Sequence, residues 1–134
     1  MNYVLLSLFL GMATACSLIL THQQLNTFEK PFITFILTLQ FVAIISLYFD
    51  YKDMLFVTHV FYAITLLMGS IYAKNIYIIL LLICVMCIAK ICVCCIGDCP
   101  YHSCSKRLRY GGGGETDNIL YGVCLCILIY RYIQ

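Results

Sequence analysis

The sequence predicts an all-α integral membrane fold of four transmembrane helices followed by a short hydrophobic C-terminal helix. Three observations lead there. Of the 134 residues, 63% are hydrophobic and 10% charged, against about 25% charged in a soluble domain, and the mean hydropathy is +0.98. Residues 1–28, 31–49 and 54–73 contain no Asp, Glu, Lys or Arg, and a fourth stretch from residue 75 to Ile96 contains one, Lys90. A bilayer core about 30 Å thick needs roughly 20 apolar residues in a helix, so each stretch has the length to cross. The chain divides as a four-helix bundle over 1–96, a Cys-, basic- and Gly-rich loop over 97–117 and a short hydrophobic segment over 118–134.

The first helix is expected over about Tyr3–Leu20. Ala13-Thr14-Ala15 has the small-x-small pattern of a cleavage site, but neither Lys nor Arg precedes the apolar stretch, so residues 3–21 are read as a retained helix. Ser7, Gly11 and Ala15 recur every fourth residue and share a face, where small side chains let another helix approach closely. A polar stretch, Thr21–Lys30, follows. Pro31 suits the first turn of a second helix over about Phe32–Phe49, where its missing N–H costs nothing. The Thr hydroxyls of that helix can bond back to helix carbonyls. Gln40 is different: its amide is costly to leave in hydrocarbon and is expected to face another helix.

The turn at 50–53 makes the second and third helices antiparallel neighbours. Asp53 is read as the N-cap of a third helix over about Met54–Ala73. That helix carries His59, read as a hydrogen-bonding packing residue, and a second small-residue stripe of Thr65, Gly69 and Ala73. Lys74-Asn75 separates it from a fourth helix over about Ile76–Ile96, whose Lys90 is expected to reach the headgroups along its own stem. The run Asn118–Tyr130 gives 13 residues, about 20 Å of helix. It is expected to be a peripheral or partial helix rather than a full crossing. Four glycines, Gly111–Gly114, form a linker, and without a following Gly-Lys-Ser/Thr they are not a phosphate loop.

With four crossings, the N-terminus, Lys52 and the Lys106/Arg107/Arg109 loop share one side, with four Lys or Arg. Lys30 and Lys74 share the other, with two. The positive-inside rule then puts the N-terminus and the 97–117 loop in the cytoplasm.

Ten cysteines are present. Cys16, Cys84, Cys87, Cys124 and Cys126 lie in apolar runs and read as small hydrophobes. The cluster from Cys92 to Cys104 allows several chemistries. Cys92, Cys95, Cys99, His102 and Cys104 hold zinc-ligand types, with C-x2-C and C-x2-H spacings but without the usual gap between pairs. Cys99 and Cys104 could close a disulfide in an oxidising compartment, which conflicts with the charge-based topology. Cys94 and Cys95 are juxtamembrane, where S-palmitoylation occurs.

Cys84-Val-Met-Cys87 has a C-x-x-C spacing, and with four helices this resembles membrane thiol oxidoreductases. Such an enzyme also needs a second, exposed cysteine pair, and the first loop has no cysteine. The alternative function is therefore a thiol or metal redox protein using Cys84/Cys87 and the Cys92–Cys104 cluster. A small channel or carrier would instead need a continuous polar path near Gln40, His59 and Thr65.

No Asp or Glu lies within any span, which leaves a proton or cation relay without a carrier. The basic residues form no stripe for nucleic acid. Neither a cofactor, a catalytic group nor a small-molecule substrate is indicated. The reading is a structural subunit of a larger membrane-embedded assembly, such as a virion inner membrane or an organellar complex, whose partners are the lipid bilayer and other membrane-protein subunits. Eleven Tyr, eight Phe and no Trp suit an AT-rich genome.

Overall fold

A computed structural model of the chain describes residues 3–96 and 115–134, with side chains left out at 4, 52, 89–90, 92–96, 115–118 and 120–121. The described residues are helical, in five helices: α1 (Tyr3–His22), α2 (Glu29–Tyr48), α3 (Lys52–Tyr72), α4 (Ile76–Ile96) and α5 (Glu115–Ile133). Three of them are long and apolar enough to cross a membrane, through Leu5–His22, Glu29–Tyr48 and Asp53–Tyr72. At about 1.5 Å per residue, the 20 residues of α1 extend about 30 Å. Such helices are consistent with an integral membrane protein. In α4 and α5 the apolar stretches, Ile76–Ile88 and Gly122–Ile133, are shorter among the described residues, so the fourth crossing rests on sequence rather than on structure.

The chain divides within α3 into two units, Met1–Thr65 and Leu66–Gln134. In the first, α1 packs on α2. The buried face of α1 is Leu5, Phe9, Ala13, Cys16 and Ile19, spaced three or four apart as one helical stripe requires. α2 buries a wider face that includes Phe32, Ile33, Ile36, Leu39, Gln40 and Ala43. Phe35 of α2 meets Phe61 of α3 edge-on, with centroids 6.1 Å apart. In the second unit α4 packs on α5. α4 buries Ile78, Ile79, Leu82 and Met86, and α5 buries Cys124 and Leu128.

Each helix boundary has a local cause. At the start of α2, Asn26 Oδ1 accepts the backbone N–H of Phe28 (2.9 Å) and Glu29 (2.8 Å), and Glu29 Oε2 accepts the N–H of Asn26 (3.2 Å). This reciprocal capping box satisfies donors that a helix start leaves open. Pro31 lies in the first turn it enters.

α2 ends in a Schellman-type turn. Tyr51 N–H donates to Ser46 O at 2.8 Å, and Asp50 takes the left-handed conformation with φ 56°. That position usually belongs to Gly. α3 begins at Lys52, two residues before the expected Met54: Leu55 N–H donates to Tyr51 O, so Asp53 sits inside the first turn and is not the cap. There a carboxylate favours the positive end of the helix dipole. α4 is capped by Asn75, whose Oδ1 accepts the N–H of Tyr77 at 2.9 Å.

The C-terminal helix differs most from expectation. It spans 19 residues, because it opens on Glu115, Thr116 and Asp117, which a hydropathy reading discards, and continues past Arg131. The Gly111–Gly114 linker and most of the 97–117 loop lie outside the described residues. The side chain of Lys90 does too, although its backbone is within α4.

Asp50 gives a direct test of the α2–α3 turn. A β-branched residue in the left-handed region costs about 1–2 kcal/mol. Asp50→Val is expected to lower the chain's stability in detergent by that amount, whereas Asp50→Gly should be tolerated. Thermal melts followed by helical circular dichroism measure the difference.

Candidate functional site

Four features merit a chemical reading: the interior amide of α2, the two small-residue stripes, the cysteines, and the end where α5 meets α3.

Gln40 stands near the middle of α2 and is fully buried. Among the described residues neither its Oε1 nor its Nε2 has a hydrogen-bond partner. The buried hydroxyls nearby in sequence behave otherwise. Ser46 Oγ donates to Val42 O (2.6 Å), Thr58 Oγ1 to Leu55 O (2.8 Å), and Thr65 Oγ1 to Tyr62 O (2.9 Å). Each closes onto its own helix, so its burial costs little. An amide has no such option at this spacing, and leaving it unpaired in an apolar interior costs roughly 2–7 kcal/mol. His59 is half-buried.

The same self-bonding occurs on the outward faces. Thr14 Oγ1 donates to Leu10 O (2.8 Å), Thr34 Oγ1 to Lys30 O (2.8 Å), and Thr38 Oγ1 to Thr34 O (2.9 Å). Around them the exposed side chains are large and apolar, among them Leu10, Leu18, Phe41, Ile45, Val60 and Ile64. Polar tips collect at the helix ends instead. Tyr48 and Tyr51 flank the α2–α3 turn, Tyr72 and Tyr77 flank the α3–α4 turn, and Tyr130 and Tyr132 flank Arg131, all of them exposed. Tyrosines at this level mark membrane–water interfaces.

The small-residue stripes part ways. Thr65, Gly69 and Ala73 are all buried. Ser7 and Gly11 are exposed and Ala15 is half-buried, and a Cβ built on Gly11 would meet nothing within 4 Å. α1 therefore uses a different face, through Leu5, Phe9, Ala13 and Cys16, for its contacts within the chain.

Cys84 and Cys87 are free and exposed on α4, Cys126 is free and exposed on α5, and Cys16 and Cys124 are free and buried. Among the described residues no group of three or more His, Cys, Asp or Glu could hold a metal ion. Cys92, Cys94 and Cys95 fall on the last turns of α4, with side chains outside the described set. Cys99, His102 and Cys104 lie outside the described residues altogether, so the zinc, disulfide and lipidation readings rest on sequence.

One long-range contact is absent from the sequence reading. Arg131 Nη1 donates to Ser70 O at 2.9 Å and to Ile71 O at 2.6 Å. These carbonyls belong to the last turn of α3, where helix acceptors lack intrahelical donors and partial negative charge collects. A cation placed there satisfies both. The contact also sets the direction of α5. Because α4 leaves from the α3 end and α5 comes back to it, α4 and α5 run antiparallel, and Ile96 and Glu115 lie at the opposite end of this unit. In the sequence Arg131 marks merely where an apolar run stops, and nothing local says that it reaches back some sixty residues.

Replacing the unpaired amide provides a test. Gln40→Leu keeps most of the volume and removes two polar atoms, so it is expected to stabilise the chain by about 1–3 kcal/mol, read as a raised thermal midpoint in detergent. A lowered midpoint would show that the amide has a polar partner. Comparison with protein-family models, curated proteins and solved structures finds no match for this chain.

Proposed function

We propose that the chain is a multi-pass membrane protein acting as a structural subunit of a larger membrane-embedded assembly, as in a virion inner membrane or an organellar complex. In this reading α4 supplies a fourth crossing, and α5 returns beside it to the level of Lys74. The N-terminus and the 97–117 loop are cytoplasmic. The charge margin is narrower than a four-crossing count gives. With Arg131 counted on the Lys30 and Lys74 side, Lys and Arg number three there, against four (Lys52, Lys106, Arg107 and Arg109) on the other.

The observation that carries the reading is the outward small-residue stripe on α1. Between lipid-exposed helices there is little hydrophobic drive to associate, and small residues permit the close backbone contact that replaces it. Ser7 and Gly11 supply such a surface: both are exposed, and a Cβ added at Gly11 would meet nothing within 4 Å among the described residues. Two of the connections also favour a subunit over an enzyme: residues 49–51 and 73–75 are too short to enclose a reaction.

Gly11→Leu tests this. Because the position is open, the isolated chain should keep its stability to within about 0.5 kcal/mol. The size of the complex extracted in mild detergent should fall to that of the lone chain. Cys84→Ser with Cys87→Ser should leave the complex intact. An unchanged complex in Gly11→Leu, or an enzymatic redox activity lost with the two thiols while assembly persists, would favour the thiol enzyme instead.

A further inference from the structure

We infer that the end of the second unit formed by Lys74 and Arg131 is a binding site for the phosphate of an anionic phospholipid headgroup. The inference rests on the membrane reading above and adds a ligand to it.

Arg131 carries the argument. Its Nη1 is committed to the carbonyls of Ser70 and Ile71. A guanidinium has five N–H donors, so the Nε/Nη2 edge retains three. Those nitrogens make no hydrogen bond among the described residues, and they are not among the buried polar atoms. A planar edge with parallel N–H groups matches two phosphate oxygens. The α3 carbonyls hold the side chain in place beforehand, so little rotamer freedom remains to be lost on binding.

Charge and surroundings point to the same occupant. Lys74 follows Ile71 by three residues, within about 10 Å along the chain, and is exposed. Among the described residues of this unit the acidic ones, Glu115 and Asp117, stand in the first turn of α5, at the opposite end. Tyr72 and Tyr77 flank Lys74 in the sequence, Tyr130 and Tyr132 flank Arg131, and all four are exposed, as suits the depth at which headgroup phosphates lie. A free anion in water would gain the charge but not this amphipathic collar, so the lipid is the assigned source.

The test uses the full chain reconstituted in vesicles of equimolar phosphatidylcholine and phosphatidylglycerol. Flotation comes first: a chain that stays out of the vesicles overturns the membrane reading itself. For a chain that floats, the phospholipids retained after detergent extraction are quantified by mass spectrometry. The expected result is enrichment of phosphatidylglycerol over phosphatidylcholine. Lys74→Gln and Arg131→Lys should each reduce it, by about fivefold for the lost Lys charge; Arg131→Lys keeps a cation on the α3 carbonyls and removes only the fork. Added inorganic phosphate should leave the enrichment unchanged. Equal retention of the two lipids, or enrichment untouched by both substitutions, overturns the site, and displacement by inorganic phosphate overturns the lipid as its occupant.

Discussion

The structure depends on one constraint: a polar group that water does not reach must be satisfied from within the protein. In hydrocarbon the α-helix meets this for the backbone without help from any neighbour, and here it extends to side chains. Thr14, Thr34 and Thr38 on outward faces, and Ser46, Thr58 and Thr65 on inward ones, all return their hydroxyls to carbonyls of the same helix. The middle of each spanning helix can then turn almost any face to lipid, and the outward surface is free to be apolar. Among the described residues Gln40 breaks the constraint with both atoms of its amide, and it is hidden completely.

Self-satisfaction fails at helix ends, where four donors or four acceptors are left over. The chain therefore concentrates its polar chemistry there. Asn26 and Glu29 close the start of α2, the left-handed Asp50 closes its end, Asn75 closes the start of α4, and Arg131 reaches across from α5 to the end of α3. The last of these has consequences beyond its own helix. It fixes the direction of α5 and presents a cationic edge outward, and in the proposed topology it adds one positive charge to the side of Lys30 and Lys74.

The sequence revealed the middles of helices better than their ends. Charge-free runs located α1 to α4 within a few residues, because hydropathy reads what hydrocarbon demands. Caps were harder. Asn26-x-x-Glu29 is a capping-box spacing, but two polar residues in a polar stretch do not stand out. Asp53 looked like a cap because it precedes an apolar run, yet the backbone turn starts at Tyr51. Hydropathy makes α5 read as short because Glu115 to Asp117 are polar, although a helix accepts acidic residues in its first turn. Which face of α1 packs was not legible either. Ser7, Gly11 and Ala15 form one periodic stripe and Leu5, Phe9 and Ala13 another, and only three-dimensional placement chooses between them. The cysteine cluster from Cys92 to Cys104, chemically the most suggestive segment, stays a sequence observation.

The central claim is that the outward apolar faces of α1, α2 and α3 contact lipid. Spin labels placed singly at Leu18, Phe41 and Ile64 of the reconstituted chain, with Ala43 as a buried control, test it most directly. The account predicts that the three outward labels collide with oxygen dissolved in the bilayer and are shielded from a water-soluble nickel chelate, while the label at Ala43 is shielded from both. Free collision of the outward labels with the aqueous chelate would contradict it.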